Sequence, residues 1–262
     1  MNFAQVNDIA LRYDLSGSGA STLVLIHEMG GTLESWDDVV PLFSAKRRVL
    51  RYDTRGAGLS QKVRGTLTID AMTDDLVALM DALGIAGKVA LAGIAVGGAI
   101  ALHTAVSFPQ RVAAVTASSP AIGIAPDRRP ALLTRVEKME REGLPAVLDT
   151  LDNGYPTELR GDRQRFAAFR ARWLGGDPAS YGAIYRMLIA TDLQPELSRI
   201  ACPVLVTAGS LDRTRPPQVV EPVARAIPGA RYVVIESGHY APVQTPALYA
   251  QTIGEFLDSV GA

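Results

Sequence analysis

The chain has 262 residues, 48% of them hydrophobic, which is enough for one large domain whose core needs no disulfide or metal. Its 26 basic and 27 acidic residues leave a net charge of -1, so we expect neither nucleic acid nor a membrane as a partner. Cys202 is the only cysteine, the first residues lack a signal-peptide pattern, and no apolar run approaches the roughly 20 residues of a membrane span, so we expect a cytoplasmic protein.

Short β-branched runs alternate with helical patterns, which is typical of βαβ units around a mostly parallel sheet. The first two runs bracket Asn7 and Asp8, residue types that tight turns favour, so a hairpin is predicted at the sheet edge. Most later runs are apolar throughout, as in central strands covered on both faces. The predicted strands are 3–6, 9–13, 22–26, 48–52, 89–92, 112–117, 204–208 and 232–235.

Helical patterns fill the intervals between these runs. Ser35 and Asp38 resemble a capping pair that opens a helix. Gly84 stands where a C-terminal glycine ends a helix of well-spaced apolar residues, and Pro109 ends another. The predicted helices are 35–43, 69–83, 96–108 and 248–260.

The alternation breaks from about residue 120 to residue 195, where helical segments carry arginines, glutamates and scattered aromatic residues without a strand-like run. We interpret 120–195 as a helical cap inserted into an α/β core formed by 1–119 and 196–262. The predicted fold class is therefore α/β, with a mostly parallel central sheet flanked by helices.

Residues 93–97 read Gly-Ile-Ala-Val-Gly between an apolar strand and an Ala-rich helix. A sharp strand-to-helix turn holds its central side chain in a strained, exposed position, and small residues two places to either side give clearance. That central residue is the place for a nucleophile, but here it is Ala95, and a methyl group cannot attack a carbonyl. Alone, the spacing is more often a packing motif; other residues favour the catalytic interpretation.

Two polar residues follow later strands. Asp212 can accept a hydrogen bond from a histidine Nδ1 and so fix the histidine tautomer. His239 follows the last strand on a glycine-flanked loop that can bring its Nε2 to the turn. The alternative for Asp212 is a surface ion pair with Arg213 or Arg215. His103, within the helix that follows the turn, is expected to be structural.

The loop 27–31 reads His-Glu-Met-Gly-Gly. Loops of this kind place a backbone N–H opposite the turn, so the N–H groups of Met29 and Val96 are predicted to form an oxyanion hole. Glu28 brings charge beside a developing negative oxygen, which is unfavourable unless it points away, is protonated or binds a cationic or donor group of the substrate. A carboxylate that faces solvent or pairs with an arginine is the alternative.

Five short motifs carry a family resemblance: RYDTRGAGLS at 51–60, LMDAL at 79–83, GIAVGG at 93–98, DLQPEL at 192–197 and GH at 238–239. With them the chain resembles the α/β-hydrolase family along essentially its whole length, and within it the 3-oxoadipate enol-lactonase-like branch. The resemblance implies a triad with the nucleophile at position 95, the acid at Asp212 and the base at His239. Ala95 departs from that pattern, and so does Glu28, since the family loop usually reads His-Gly.

Two explanations of Ala95 stay open. In one, the chain is an engineered Ser→Ala variant of a serine hydrolase. In the other, the alanine is natural, and His239, oriented by Asp212, activates water directly while Met29 and Val96 hold the oxyanion. The independent departure at Glu28 favours the natural site.

The leading functional hypothesis is hydrolysis of a small ester, lactone or amide without a metal or cofactor. The same base and oxyanion hole also suit a lyase, decarboxylase or isomerase that stabilises an enolate, and a non-catalytic protein that binds a small ligand or partner is a third class. The sequence does not specify an oligomeric state.

The cap is expected to supply walls for a small-molecule substrate. Beside Glu28 we expect contacts from Trp173, Tyr185 and Tyr240. Further candidates are Tyr155, Phe166, Phe169 and Tyr181, although aromatics at helical spacing are more often core. Cap arginines could attract a carboxylate, but a solvated helix face is the stronger interpretation; they are Arg160, Arg163, Arg165, Arg170 and Arg172.

Overall fold

The computed structural model describes residues 2–262 and has an eight-stranded sheet at its centre. The strands are β1 Asn2–Val6, β2 Ile9–Ser16, β3 Thr22–Ile26, β4 Arg48–Tyr52, β5 Val89–Ile94, β6 Val112–Ser118, β7 Val204–Gly209 and β8 Arg231–Ile235. Their order is β1-β2-β4-β3-β5-β6-β7-β8, and β2 alone runs against its neighbours. The predicted α/β class is confirmed, as is the edge hairpin, where Asn7 and Asp8 have φ of 44° and 62°.

Helices cover both faces of the sheet. They are α1 Val40–Ser44, α2 Ile69–Ala82, α3 Val96–Ser107, α4 Arg129–Glu142, α5 Asp149–Gly154, α6 Arg163–Leu174, α7 Pro178–Ala190, α8 Pro217–Arg225, α9 Ala241–Gln244 and α10 Pro246–Ser259. Buried residues of α2, α3 and α8 form the core on one face, and those of α1 and α10 form it on the other. Within residues 2–262, no helix combines the length and the apolar character that crossing a bilayer requires.

The prediction of a single helix over 35–43 is wrong. Where a capped helix was expected over 35–43, a short 3₁₀ helix, Leu33–Trp36, precedes the five-residue α1. Ser35 lies inside that 3₁₀ helix, and its hydroxyl donates to the Glu28 carboxylate instead of capping a helix. The partner that decides its role is seven residues away, so the local pattern could not reveal it.

The chain between β6 and β7 is helical from α4 to α7. It leaves and rejoins the core at neighbouring points, because Gly123 and Asp192 form an antiparallel bridge and the Leu193 N–H donates to the Ile122 carbonyl. A separate apolar cluster joins these helices to α9 and contains Trp173 and Tyr240. This geometry supports our proposal that 120–195 acts as the cap.

The carboxyl ends of the parallel strands meet at one edge of the sheet. The chain order reverses at β3, which lies between β4 and β5, and a crevice forms where neighbouring connections diverge in this way. The loops after β3, β5, β6, β7 and β8 all open at this edge, so the candidate residues of distant sequence segments converge there.

Candidate active site

The turn after β5 is strained at Ala95, whose φ of 51° and ψ of -111° lie outside the regions an alanine favours. Such a backbone costs about 1–3 kcal/mol and persists only where its surroundings enforce it. Here the Ala95 N–H donates to the Ser118 carbonyl at 2.9 Å, and the Ala95 carbonyl accepts from Ala121 at 2.9 Å and from Ala99 at 3.1 Å. The turn is therefore held from both sides although its side chain is only a methyl group.

Two glycines near Ala95 allow the backbone segments of the turn to approach each other closely. A Cβ on Gly93 would lie 2.1 Å from the Gly97 carbonyl oxygen, and one on Gly97 would lie 2.2 Å from the carbonyl oxygen of Ile26 at the end of β3. The first turn of α3 thus rests directly on the loop that follows β3. This contact brings the N–H of Val96 close to the loop 27–31.

Asp212, after β7, is buried and accepts four hydrogen bonds. Its Oδ2 accepts from the Ser119 hydroxyl at 2.9 Å and lies 2.7 Å from Nδ1 of His239, while its Oδ1 accepts from the N–H groups of Thr214 and Arg215 at 2.8 Å. Burial alone raises the pKa of Asp212, but His239 and the other donors outweigh burial, so this pKa lies below its ordinary value. The carboxylate is an ionised anchor, not the predicted alternative of a surface ion pair.

His239, after β8, is 6% exposed. Because its Nδ1 faces the Asp212 carboxylate, that nitrogen carries the proton and Nε2 is left as the basic nitrogen. The backbone N–H of His239 donates to the Gly154 carbonyl at the end of α5, at 3.0 Å. A helix of the cap segment therefore fixes the position of the ring from the opposite side.

The loop after β3 is oriented through the Glu28 carbonyl. Thr54 N–H donates to Nε2 of the buried His27 at 3.0 Å, so Nδ1 carries the proton and donates to the Glu28 carbonyl at 2.7 Å. The Gly31 N–H donates to the same carbonyl at 3.0 Å. In a trans peptide the next N–H points the opposite way, so these bonds fix the direction of the Met29 N–H. Within residues 2–262, neither Met29 nor Val96 N–H has a backbone acceptor.

The Glu28 side chain is 1% exposed. Its Oε1 accepts from the Ser35 hydroxyl at 2.8 Å, and its carboxylate fills the space where a Cβ on Gly31 would lie. Its Oε2 is enclosed without a hydrogen-bond partner among residues 2–262, and no arginine or lysine of that range pairs with the carboxylate. The alternative of a solvent-facing or arginine-paired Glu28 is therefore wrong, while its contact with substrate stays a prediction.

Aromatic residues of the cap segment cover the loop, and Tyr240, which follows His239 in the core, packs against the histidine. Gly30 lies against Trp173 and Tyr181, since a Cβ there would be 2.6 Å from the Trp173 ring and 2.8 Å from Tyr181. The Tyr181 and Tyr185 ring centroids are 5.5 Å apart, and Tyr240 meets the His239 ring edge to face. Burial raises the pKa of Tyr240 well above its ordinary value, and the nearby Glu28 adds to the effect. These rings border the site as neutral groups.

Most of the remaining cap aromatics are core. Tyr155 and Phe169 pack with Tyr240, and both are about 1% exposed.

The cap arginines support the interpretation of a solvated helix face. Arg160 pairs with Asp152, Arg165 pairs with Asp38 and Asp162, and Arg163 and Arg170 are exposed.

His103 is structural, as expected. Its Nδ1 lies 3.0 Å from Glu196 and its Nε2 lies 2.7 Å from Asp70, so the ring links α3 to α2 and to the segment after α7. Ser119, which holds Asp212, was not anticipated at the site, and Arg215, whose side chain donates to the Pro120 carbonyl at 3.3 Å, was considered only as a surface partner of Asp212. A serine after a strand and an arginine in a loop carry no distinctive local pattern.

Residues 21–246 match a family model described as the alpha/beta hydrolase fold. The chain belongs to the α/β hydrolase fold family. This α/β hydrolase is 26% identical over 249 residues to 3-oxoadipate enol-lactonase 2 of Acinetobacter baylyi, a match that covers 94% of this chain and 92% of that protein.

Two solved structures resemble it along nearly the whole length. The enol-lactonase from Burkholderia xenovorans LB400 has a TM-score of 0.92 and 30% identity, over 98% of this chain and 100% of that one. A thermophilic esterase from Thermogutta terrifontis, solved with malate bound, has a TM-score of 0.92 and 27% identity, over 100% and 99%. These likenesses confirm the predicted enol-lactonase-like branch and identify the α/β hydrolase as an enzyme that hydrolyses its substrate.

The contact of Gly97 with β3 predicts an unusual response to alanine. In a helix Gly→Ala normally stabilises, but Gly97→Ala should lower the free energy of unfolding by about 1–3 kcal/mol, because the methyl group meets backbone that must move. Gly87→Ala, which has open space, is the control and should change it by less than about 0.5 kcal/mol. Urea denaturation measures both, and equal stability of the two variants would contradict the contact.

The lowered pKa of Asp212 predicts a pH-dependent stability. Because this pKa is depressed in the folded state, its contribution is complete above the unfolded value of about 3.9 and is lost as the pH falls through the folded value. The difference in unfolding free energy between the wild type and Asp212→Asn should therefore be largest above about pH 5 and shrink toward pH 2. Asp74→Asn, at an exposed position of α2, is the control. A pH-independent difference would show that Asp212 is not stabilised as an anion.

Proposed function

We propose that this α/β hydrolase cleaves a small ester, lactone or amide by direct attack of water, with His239 as the general base. The observation that carries the proposal is the fully satisfied Asp212 carboxylate 2.7 Å from Nδ1 of His239, beside a turn that has no nucleophile. Binding alone requires no such base, whereas general-base catalysis requires both the tautomer and the orientation that Asp212 enforces.

The proposed reaction begins with the substrate carbonyl at the Met29 and Val96 N–H groups. His239 takes a proton from water through Nε2, and the oxygen of that water bonds to the carbonyl carbon as the C=O electron pair moves to oxygen. The two N–H groups and the N-terminus of α3 stabilise the negative oxygen. As the tetrahedral species collapses, the imidazolium returns its proton to the departing oxygen or nitrogen. Asp212 stays ionised and stabilises the imidazolium.

The second candidate is a serine hydrolase that carries alanine in place of its nucleophile. The strain at Ala95 favours it, because a φ of 51° costs free energy at a buried residue whose methyl group has no chemistry to perform. Glu28 argues against this candidate, because it is a second departure from the pattern that the resemblance implies. Its carboxylate is bound by the Ser35 hydroxyl and packs against Gly31.

Replacement of the base should abolish most of the activity. His239→Ala should lower kcat by about 10²–10⁴-fold, because the attacking water loses its proton acceptor. His103→Gln, on α3 and outside the site, is the control and should leave turnover unchanged at temperatures below unfolding. Equal activity of both variants in a steady-state assay on aryl esters, enol-lactones and amides would rule out the water mechanism.

Restoring a serine separates the two candidates. Ala95→Ser assayed on the same three substrate classes should give little or no gain if water is the native nucleophile, and a large gain on simple esters if a serine belongs there. Turnover in ¹⁸O-labelled water should place the label in the acid product. Unlabelled product would instead indicate the lyase or isomerase chemistry.

A further inference from the structure

Gln244, the last residue of α9, carries a buried amide to which the proposed reaction gives no role. Its Oε1 accepts from the backbone N–H of Tyr240 at 3.0 Å, and its Nε2 donates to the Gly154 carbonyl at 2.9 Å. Because one partner donates and the other accepts, the two contacts fix which end of the amide faces which group. An ionised carboxylate at this position could make only the first of these bonds, since it has no proton to donate.

The Gly154 carbonyl is shared by Gln244 and His239. Beside the Gln244 amide it accepts from the backbone N–H of His239 at 3.0 Å. Gly154 is the last residue of α5, and a Cβ there would lie 2.6 Å from the Tyr240 ring, so α5 lies directly against the loop that carries the base. The position of His239 therefore depends on α5 as well as on β8.

The amide holds the backbone on both sides of His239. A Cβ on Gly238 would lie 2.8 Å from each polar atom of the Gln244 amide, and on the other side the Tyr240 N–H donates to the same amide. The ring itself is held at Nδ1 by Asp212, at 2.7 Å. If the backbone moved, this bond would lengthen or Nε2 would leave its place. Gln244 prevents that movement by fastening the loop to α5.

We propose that Gln244 is a positioning residue for His239, because it ties the loop of the base to α5 and so keeps Nε2 where it takes the proton from water. This inference rests on the proposed function, which makes His239 the base. Reacting groups must be held closely, since a displacement of about 1 Å can reduce a rate about 10²-fold. In this account the segment 120–195 acts on catalysis through the Gly154 carbonyl as well as through the rings that border the site.

Gln244→Glu tests the tether with almost no change of shape. At about pH 8, where a carboxylate is ionised, the new side chain accepts from Tyr240 but cannot donate to the Gly154 carbonyl. We expect kcat on an aryl ester to fall about 10- to 100-fold, with KM changed by less than about twofold. An unchanged kcat, or a change confined to KM, would overturn the proposal.

Two controls accompany this variant. Gln251→Glu makes the same substitution at an exposed position of α10, where the amide donates to Glu255, and should leave kcat and KM unchanged. Val6→Ala removes buried methyl groups from β1, at the opposite end of the strand order from β8, and should lower the Tm without lowering kcat below the unfolding temperature. A fall in kcat as large in Val6→Ala as in Gln244→Glu would assign the effect to stability and overturn the proposal.

A spectroscopic test does not depend on turnover. The Nδ1 proton that His239 donates to Asp212 should give a strongly downfield ¹H NMR resonance, identified by its absence in His239→Ala. We expect this resonance in the wild type and in Gln251→Glu, and its loss or broadening in Gln244→Glu. An unchanged resonance in Gln244→Glu would overturn the proposal. If the resonance depends on Gln244 while His239→Ala retains turnover, Gln244 still positions the ring and the water mechanism fails.

Discussion

The strained turn at Ala95 is the constraint on which the site depends. Three backbone hydrogen bonds hold it: one to the last residue of β6, one from the segment after β6, which also supplies Ser119 to Asp212, and one from α3. Gly97 lets the same turn rest on the end of β3. A single conformation therefore sets the relation between the Val96 N–H, the Met29 loop and the acid–base pair. This machinery is retained although the turn presents only a methyl group.

Two buried carboxylates at the site differ in how completely their oxygens are hydrogen-bonded. Asp212 accepts hydrogen bonds on both oxygens and has a lowered pKa, so it serves as a stable anion beside His239. Glu28 is equally buried but has one donor, Ser35, and an oxygen without a partner among residues 2–262. Unsatisfied buried polar atoms are costly, so Glu28 is kept at the expense of stability. That cost sets Glu28 apart from the scaffold and supports the prediction that it contacts the substrate.

The sequence predicted the sheet, the turn and the pairing of Asp212 with His239. Apolar strand runs are strong local signals, and the turn, Asp212 and His239 each follow such a run. It did not predict that Ser119 binds Asp212 or that Arg215 binds the Pro120 carbonyl, since these contacts join segments about 90 residues apart that only the folded sheet brings together. The helix expected at Ser35 failed for a related reason: the hydroxyl that resembled a cap binds Glu28 instead. Local patterns identify elements and strand ends, whereas long-range polar contacts need the three-dimensional structure.

The central claim is that water attacks the substrate directly, with no covalent intermediate on the protein. Rapid-quench intact-mass spectrometry during turnover of an aryl ester tests it. The account predicts that the chain keeps its unmodified mass at every time point while the acid product accumulates. A transient increase by the mass of the acyl group, located on His239, Glu28 or any other residue, would contradict it.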